Sequence, residues 1–133
     1  MKITIEGVPP KKDRPRFVSG MKSPVSTTNT KKGEQRVKLA FCLQLGYYIE
    51  PISTACKVVI NAYYTPPKSW SKKKQREAIG KYKITKPDTD NVIKSILDGL
   101  NELAYKDDNL VAVVECCKRY AERDYTDVEI IRL

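Results

Sequence analysis

Histidine is absent from all 133 residues of the chain. Without an imidazole, the chain has no Ser-His-Asp triad and no histidine general base. The same absence excludes a Cys-His nucleophilic pair and every zinc site that needs histidine ligands. Any hydrolase built from this sequence must therefore activate water with a carboxylate or with a metal ion.

Paired cysteine motifs and long apolar runs are missing as well. The four cysteines, Cys42, Cys56, Cys116 and Cys117, include no C-x-x-C pair, and we expect all four to be reduced thiols. No apolar run is long enough to cross a bilayer. Residues 1–6 lack the charged and then apolar layout of a secretory signal. These absences predict a cytoplasmic protein.

Positive charge is abundant and unevenly distributed. Residues 1–87 hold nineteen lysines and arginines against five acidic residues, a net charge of +14. Residues 88–133 hold six against eleven, a net charge of −5, which gives +9 for the whole chain. A basic part that follows phosphates and an acidic part that holds a metal ion would have this distribution. The alternative is that surface lysines only keep the protein soluble.

The length predicts one domain over residues 1–133. Alternating residue types predict strands over 2–6, 56–64, 110–117 and 125–133. Apolar residues at helical spacing predict helices over 34–45 and 90–103, and Ser71 is placed to cap a short basic helix. Residues 18–33 are expected to form a mobile loop. The order β-α-β-α-α-β-β indicates an α+β fold, a mixed four-stranded sheet with helices packed on it.

Two aspartates, Asp88 and Asp90, stand one residue apart at the start of the helix predicted over 90–103. Like charges at this spacing resist ionisation unless a cation neutralises them. In a basic chain, the pair predicts a Mg²⁺ or Mn²⁺ site that faces a polyanion, which indicates phosphodiester chemistry. The alternative is structural, with Asp90 as an N-cap and Asp88 as a charge that complements the helix dipole.

A second acidic pair, Asp107 and Asp108, follows the same helix at the turn toward the next strand. A short return after the helix brings this turn beside the sheet, so we expect Asp108 to be a metal ligand. Asp107 is expected to be secondary, because neighbouring residues rarely both face one site. The alternative is a plain turn, which a Lys-Asp-Asp-Asn sequence favours.

Two further charged residues lie along the helix itself. Lys94 follows Asp90 by four residues and is expected to contact the scissile phosphate or the charge that develops on it. The alternative for Lys94 is a modest ion pair with Asp90. Asp98 stands roughly 12 Å from Asp90 by helical rise, so we expect it to act outside the metal's ligand shell.

Two basic segments are the candidate phosphate contacts, and aromatic residues lie near both in the sequence. Phe17, Tyr63, Tyr64 and Trp70 either stack on bases or pack in the core, and core packing is favoured for Tyr63 and Tyr64. The predicted DNA-binding residues are Lys11, Lys12, Arg14, Arg16, Lys72, Lys73, Lys74 and Arg76.

Taken together, these segments resemble the RusA family of Holliday-junction resolvases over nearly the whole chain. The acidic part reads Lys86-Pro87-Asp88-x-Asp90-Asn91-x-x-Lys94, then Asp98-x-Leu100-Asn101, then Ala104-Tyr105-x-Asp107-Asp108-x-x-Val111, ending at Lys118. The basic Lys12-x-Arg14-Pro15-Arg16-Phe17 and Pro67-Lys68-Ser69-Trp70-Ser71-Lys72-Lys73 look like segments of phage and prophage members.

The resemblance implies a homodimeric endonuclease that uses Mg²⁺, or Mn²⁺ in its place, and cuts four-way DNA junctions with paired nicks. It assigns Asp88, Asp90 and Asp108 as metal-binding catalytic carboxylates and Lys94 as the catalytic lysine. It also implies the cytoplasm of a bacterial or phage-infected cell. Two alternatives stay open: a non-catalytic basic DNA-binding protein, and a general Mg²⁺-dependent nuclease without branch preference.

Overall fold

The computed structural model describes residues 1–13, 19–20 and 27–133. Within these ranges the strands and helices follow the order predicted from the sequence, and the α+β class is confirmed. A 3-10 turn at Asp108–Leu110 directly precedes the third strand. The elements are β1 (Lys2–Glu6), α1 (Thr28–Leu45), β2 (Cys56–Tyr64), α2 (Lys72–Ala78), α3 (Thr89–Leu100), β3 (Val111–Tyr120) and β4 (Tyr125–Arg132).

The four strands form one mixed sheet in the order β1-β4-β2-β3. β2 pairs in parallel with β3, whereas β4 pairs antiparallel with both β1 and β2. A parallel pair requires a crossover between the two strands. Residues 65–110 provide it, and they carry α2, α3 and all of the candidate catalytic residues. The crossover therefore fixes these residues beside β3 at one edge of the sheet.

One face of the sheet carries the core. In β2, Val58, Ile60 and Ala62 are buried, while the side chains between them are partly exposed on the opposite face. α1 and α3 pack on the buried side, against each other and against β1 and β3. Among the described residues, no helix is long and apolar enough to span a membrane.

α1 is longer than the sequence predicts. It begins at Thr28 instead of Glu34, so the expected loop is wrong over residues 28–33. The Thr27 hydroxyl caps the helix by accepting the Thr30 N–H at 3.1 Å. Thr30 is itself buried, and its hydroxyl accepts the Asp13 N–H at 2.9 Å. These contacts stabilise a polar first turn that has no apolar periodicity of its own.

α3 ends at Leu100, three residues before the predicted end. The chain turns away at Glu102, whose φ of 67° lies in the left-handed region. Gly99 lets α3 approach α1 closely, because a Cβ atom at this position would lie 2.6 Å from the Val37 Cβ. The close crossing of α1 and α3 sets the position of α3 over the sheet.

Candidate catalytic carboxylates and nucleic-acid interface

Asp88 and Asp90 lie at the N-terminal end of α3, and both are exposed. Asp88 occupies the N-cap position with extended backbone, but its carboxylate accepts no capping hydrogen bond. Asp90 lies in the first turn and is not the cap, so the structural alternative is wrong in its N-cap assignment. The positive end of the helix dipole stabilises both negative charges. The two carboxylates therefore face solvent and retain their capacity to bind a cation.

Lys118 of β3 holds the segment that leads to these carboxylates. Its ammonium group donates to the carbonyl oxygens of Thr85 at 2.8 Å and Pro87 at 2.6 Å. The backbone N–H of Lys83 also donates to the Lys118 carbonyl at 2.9 Å. The sequence contained Lys118 as the last residue of the family motif but gave no role for it. The structure identifies Lys118 as the residue that fixes the approach to Asp88.

The second acidic pair lies in the 3-10 turn before β3. The Asp107 carboxylate accepts the Asn109 N–H at 2.9 Å and so closes the turn. Asp108 is exposed. The pKa of its carboxyl is raised, first by partial loss of hydration, then by the hydrogen bond and charge of Asp107, and then by the charge of Asp98. A bound cation would relieve this repulsion.

Tyr105 anchors the acidic turn to α3. It is completely buried, and its hydroxyl donates to the Leu97 carbonyl at 2.7 Å. Burial, and after it the negative charge at Asp108, raises the pKa of this phenol, which therefore stays a neutral hydrogen-bond donor. Backbone bonds from the Ile52 N–H to the Ala104 carbonyl and from the Lys106 N–H to the Ile52 carbonyl hold the same segment from the other side.

The three predicted metal ligands do not meet in one cluster. Among the described residues, no three carboxylate or thiol groups lie close enough to share a metal ion. Asp108 has Asp107 and Asp98 as its acidic neighbours, while Asp90 lies about 12 Å of helical rise from Asp98. The donor chemistry nevertheless suits Mg²⁺, which takes hard oxygen ligands and is commonly held by one or two carboxylates together with substrate phosphates. Asp88 and Asp90 can provide the two carboxylates of such a site.

Lys94 is exposed on α3, one turn after Asp90. The ion pairs between described residues do not include one between Lys94 and Asp90 within 4 Å. The modest ion pair weighed from the sequence is therefore not observed. The Lys94 ammonium group is available to an anionic ligand at the start of α3.

Lys12 has an internal partner. Its ammonium group pairs with the Asp98 carboxylate at 2.8 Å, and both side chains are about three-quarters buried. Its backbone N–H also donates to the Asn91 carbonyl at 3.0 Å, so the segment before α1 is tied to α3. The Lys11 ammonium nitrogen lies 3.6 Å from a carboxylate oxygen of Asp13. Arg14, Arg16 and Phe17 lie outside the described residues. The pair between Lys12 and Asp98 gives both residues a role in positioning α3.

α2 presents the predicted basic surface. Ser71 caps it by accepting the Lys74 N–H at 3.2 Å, as its sequence indicates. Lys72, Lys73, Lys74 and Arg76 are all exposed on this short helix. The arrangement brings four cationic side chains together on the crossover that also carries Asp88 and Asp90.

The aromatic residues named from the sequence divide by environment. Tyr64 is buried in the core, and Tyr63 stacks on Tyr125 with ring centroids 4.4 Å apart. Trp70 is half-buried against Tyr120, and Lys74 lies 4.1 Å above its ring. Of the described aromatic candidates, Trp70 combines partial exposure with a neighbouring cationic helix.

The four-stranded α+β fold combines exposed paired carboxylates at the start of α3 with a cationic helix, α2, on the same crossover. The family model of endodeoxyribonuclease RusA matches residues 6–131. The chain therefore belongs to the RusA endodeoxyribonuclease family, which confirms the resemblance seen in the sequence.

A relative in Bacillus subtilis (strain 168), the uncharacterized protein YqaN, is 40% identical over 84 residues. The matched part is 60% of this chain and 56% of YqaN, so the chain spans little more than half of that relative.

Proposed function

We propose that this protein is a Mg²⁺-dependent endonuclease that resolves four-way DNA junctions by paired nicks as a homodimer. The observation that carries the proposal is the pair of exposed, uncapped carboxylates, Asp88 and Asp90, at the start of α3. Family membership supplies the class of reaction, the hydrolysis of DNA.

The residues divide the reaction between them. Asp88 and Asp90 would hold the metal. Asp108 does not lie in one cluster with them, so it would become the third carboxylate only after the turn before β3 moves toward the start of α3. When bound, Mg²⁺ lowers the pKa of a coordinated water and offsets charge on the phosphate oxygens. The Lys94 ammonium group stabilises the additional negative charge of the transition state. Lys118 keeps the Thr85–Pro87 segment in place, so that the first two carboxylates are oriented before the substrate arrives.

Substrate binding rests on the basic surface of α2. Lys72, Lys73, Lys74 and Arg76 contact phosphates of the DNA that flanks the cut. Such contacts carry little sequence information, so they support recognition of branched shape rather than of a base sequence. Because one set of carboxylates cuts one strand, two symmetric cuts require two copies of the chain related by a two-fold axis.

The test compares cleavage of an immobile four-way junction, whose branch point cannot migrate, with cleavage of a linear duplex that contains the same sequences. We expect Mg²⁺-dependent cleavage of the junction, loss of cleavage on adding a chelator, and little cleavage of the duplex. Equal cleavage of both substrates would favour the general nuclease. Junction binding without cleavage in Mg²⁺ or Mn²⁺ would favour the non-catalytic DNA-binding protein.

A further inference from the structure

A cleft of about 470 Å³ lies between α2 and the segment formed by residues 80–86. Asp88 and Asp90 are not among the residues that line it, and it shares Lys74 with the basic surface of α2. A volume of this size lies within the range of small-ligand sites. The residues that form its walls include Trp70, Lys74, Lys81, Tyr82, Ile84 and Tyr120.

The outer wall of the cleft is held firmly to the sheet. The Gly80 N–H donates to the Tyr120 carbonyl at 2.9 Å, and the Tyr120 N–H donates to the Lys81 carbonyl at 3.0 Å. The bond from Lys83 and the two bonds from the Lys118 ammonium group extend this ladder toward Pro87. The backbone of the segment is therefore fixed before any ligand binds.

Two apolar side chains on this fixed segment nevertheless face solvent. Tyr82 is 63% exposed and Ile84 is 92% exposed. A single exposed apolar residue is ordinary, but two on a rigid segment at the edge of a cleft indicate a contact surface. Four residue-to-residue steps separate Ile84 from Asp88 and span at most about 14 Å, so this surface lies close to the candidate catalytic carboxylates.

The charge of the cleft favours a polyanion over a protein side chain. Lys74 and Lys81 line it, and Glu77 is the acidic residue of its lining. Lys83, on the same segment, lies 5.3 Å from the centroids of the Tyr64 and Tyr120 rings. Aromatic rings interleaved with lysines are the usual composition of sites that bind unpaired nucleotides, since the rings stack on bases and the lysines contact phosphates.

We propose that this cleft binds an unpaired base of the DNA strand that is cut. Trp70 provides the stacking surface, Tyr82 and Ile84 form the wall that separates this base from its paired neighbours, and Lys74 moves from the indole ring to the adjacent phosphate. The inference rests on the proposed function and deepens it, because base pairs at the branch point of an open four-way junction lose a stacking neighbour and open more readily than pairs inside a duplex. The cleft then places a branch point next to Asp88.

Trp70 is the only tryptophan in the chain, so its fluorescence reports on the cleft directly. The protein is titrated in EDTA, where no cleavage occurs, with a duplex that carries one unpaired base and with a fully paired duplex of the same length. We expect the first DNA to quench Trp70 emission, and the paired duplex to bind with little quenching. Fluorescence anisotropy of labelled DNA gives the affinity in the same titrations.

Ile84→Ser and Tyr82→Ser are expected to weaken binding of the DNA with the unpaired base by about tenfold and to leave binding of the paired duplex unchanged. Tyr48→Ser is the matched control, because Tyr48 is fully exposed and does not line the cleft. Its affinities should equal those of the wild type. Ile84→Ser is the cleaner variant, since the Tyr82 hydroxyl accepts a hydrogen bond from Arg119 at 3.3 Å.

Equal quenching by both DNAs, or verified binding without any change in Trp70 emission, would overturn the cleft assignment. An unaltered preference for the unpaired base in both variants would overturn it too. These results would leave junction cleavage in Mg²⁺ intact as a separate observation. Conversely, selective quenching by a protein that cleaves no DNA would support the cleft and contradict the proposed function.

Discussion

The Lys118 ammonium group lies 2.6 Å from the Pro87 carbonyl oxygen, and this hydrogen bond joins β3 to the residue directly before Asp88. A second bond from the same group reaches the Thr85 carbonyl at 2.8 Å. One side chain therefore connects the rigid sheet to the segment that carries the first two candidate catalytic carboxylates. The bond makes Lys118 a positioning residue rather than a catalytic one.

Replacing Lys118 with Met should lower kcat for junction cleavage while leaving the affinity for the junction nearly unchanged. Met keeps most of the apolar length but removes both hydrogen bonds, and a small displacement of a catalytic group can reduce the rate by about a hundredfold. Single-turnover cleavage together with a binding titration separates the two effects. Lys118→Arg should restore part of the rate, because a guanidinium group also donates to carbonyl oxygens. Equal cleavage rates for Lys118→Met and the wild type would contradict the positioning role of Lys118.

Asp90→Asn should abolish cleavage and leave junction binding intact or tighter. The amide keeps the shape of the side chain but removes the charge that holds the metal and repels the phosphate. Asp88→Asn and Asp108→Asn should behave in the same way. Asp107→Asn should be milder, because an amide oxygen still accepts the Asn109 N–H. Cleavage assays over a range of Mg²⁺ concentrations measure these effects.

Glu50→Gln is a suitable control for these variants, since it removes one exposed carboxylate that belongs neither to α3 nor to the turn of Asp107 and Asp108. It should cleave like the wild type. Mg²⁺-dependent activity retained by purified Asp90→Asn would refute the site assignment, whatever the behaviour of the other variants.

Replacing Lys72, Lys73 and Lys74 together with Ala should flatten the salt dependence of junction binding. Each phosphate contact that is lost reduces the slope of log K against log salt by about 0.9. Lys31→Ala combined with Lys32→Ala changes two exposed lysines of α1 and serves as the control. If the α2 variant has the same slope as the wild type, the phosphate contacts lie elsewhere on the protein, and Lys11 is the next candidate.

Gly99→Ala should destabilise the protein by about 1–3 kcal/mol, because the new Cβ would overlap the Val37 side chain at 2.6 Å. In an isolated helix the same change would be stabilising, so the sign distinguishes the tight crossing from helix propensity. Urea unfolding gives the free energies. In a double-mutant cycle, Val37→Ala should recover part of the loss caused by Gly99→Ala, because it removes the Cγ1 atom that would lie 2.8 Å from the new Cβ. Strictly additive effects would argue against the close approach of α1 and α3.

Local sequence signals were sufficient for several elements. The alternation over residues 56–64 predicted β2 to the residue, and Ser71 correctly marked the cap of α2. These predictions succeeded because strand alternation and side-chain capping depend on neighbouring residues. The start of α1 was missed because Thr30 is buried by contacts with Asp13, which lies 17 residues away. The left-handed backbone at Glu102 gave no sequence signal for the end of α3.

The sequence was enough to name the residues of the candidate site, but not to predict the contacts that hold them in place. Spacing alone indicated Asp88 and Asp90, whereas the Lys12–Asp98 pair joins residues 86 positions apart and was visible only in the fold. That pair gives Lys12, which the sequence predicts as a DNA contact, a structural role as well. The role of Lys118 could not be predicted from the sequence either, because its hydrogen-bond partners are backbone carbonyls more than 30 residues away.

Cleavage of a supercoiled plasmid that extrudes a cruciform tests the paired-nick account most directly. One nick gives open circles, and two coordinated nicks give linear DNA. Wild-type protein in Mg²⁺ is expected to give linear product from one binding event. Dimers mixed from wild-type and Asp90→Asn chains should nick one strand and stop at open circles. Mainly linear product from the mixed dimers, or an active species that sediments as a monomer, would contradict the account.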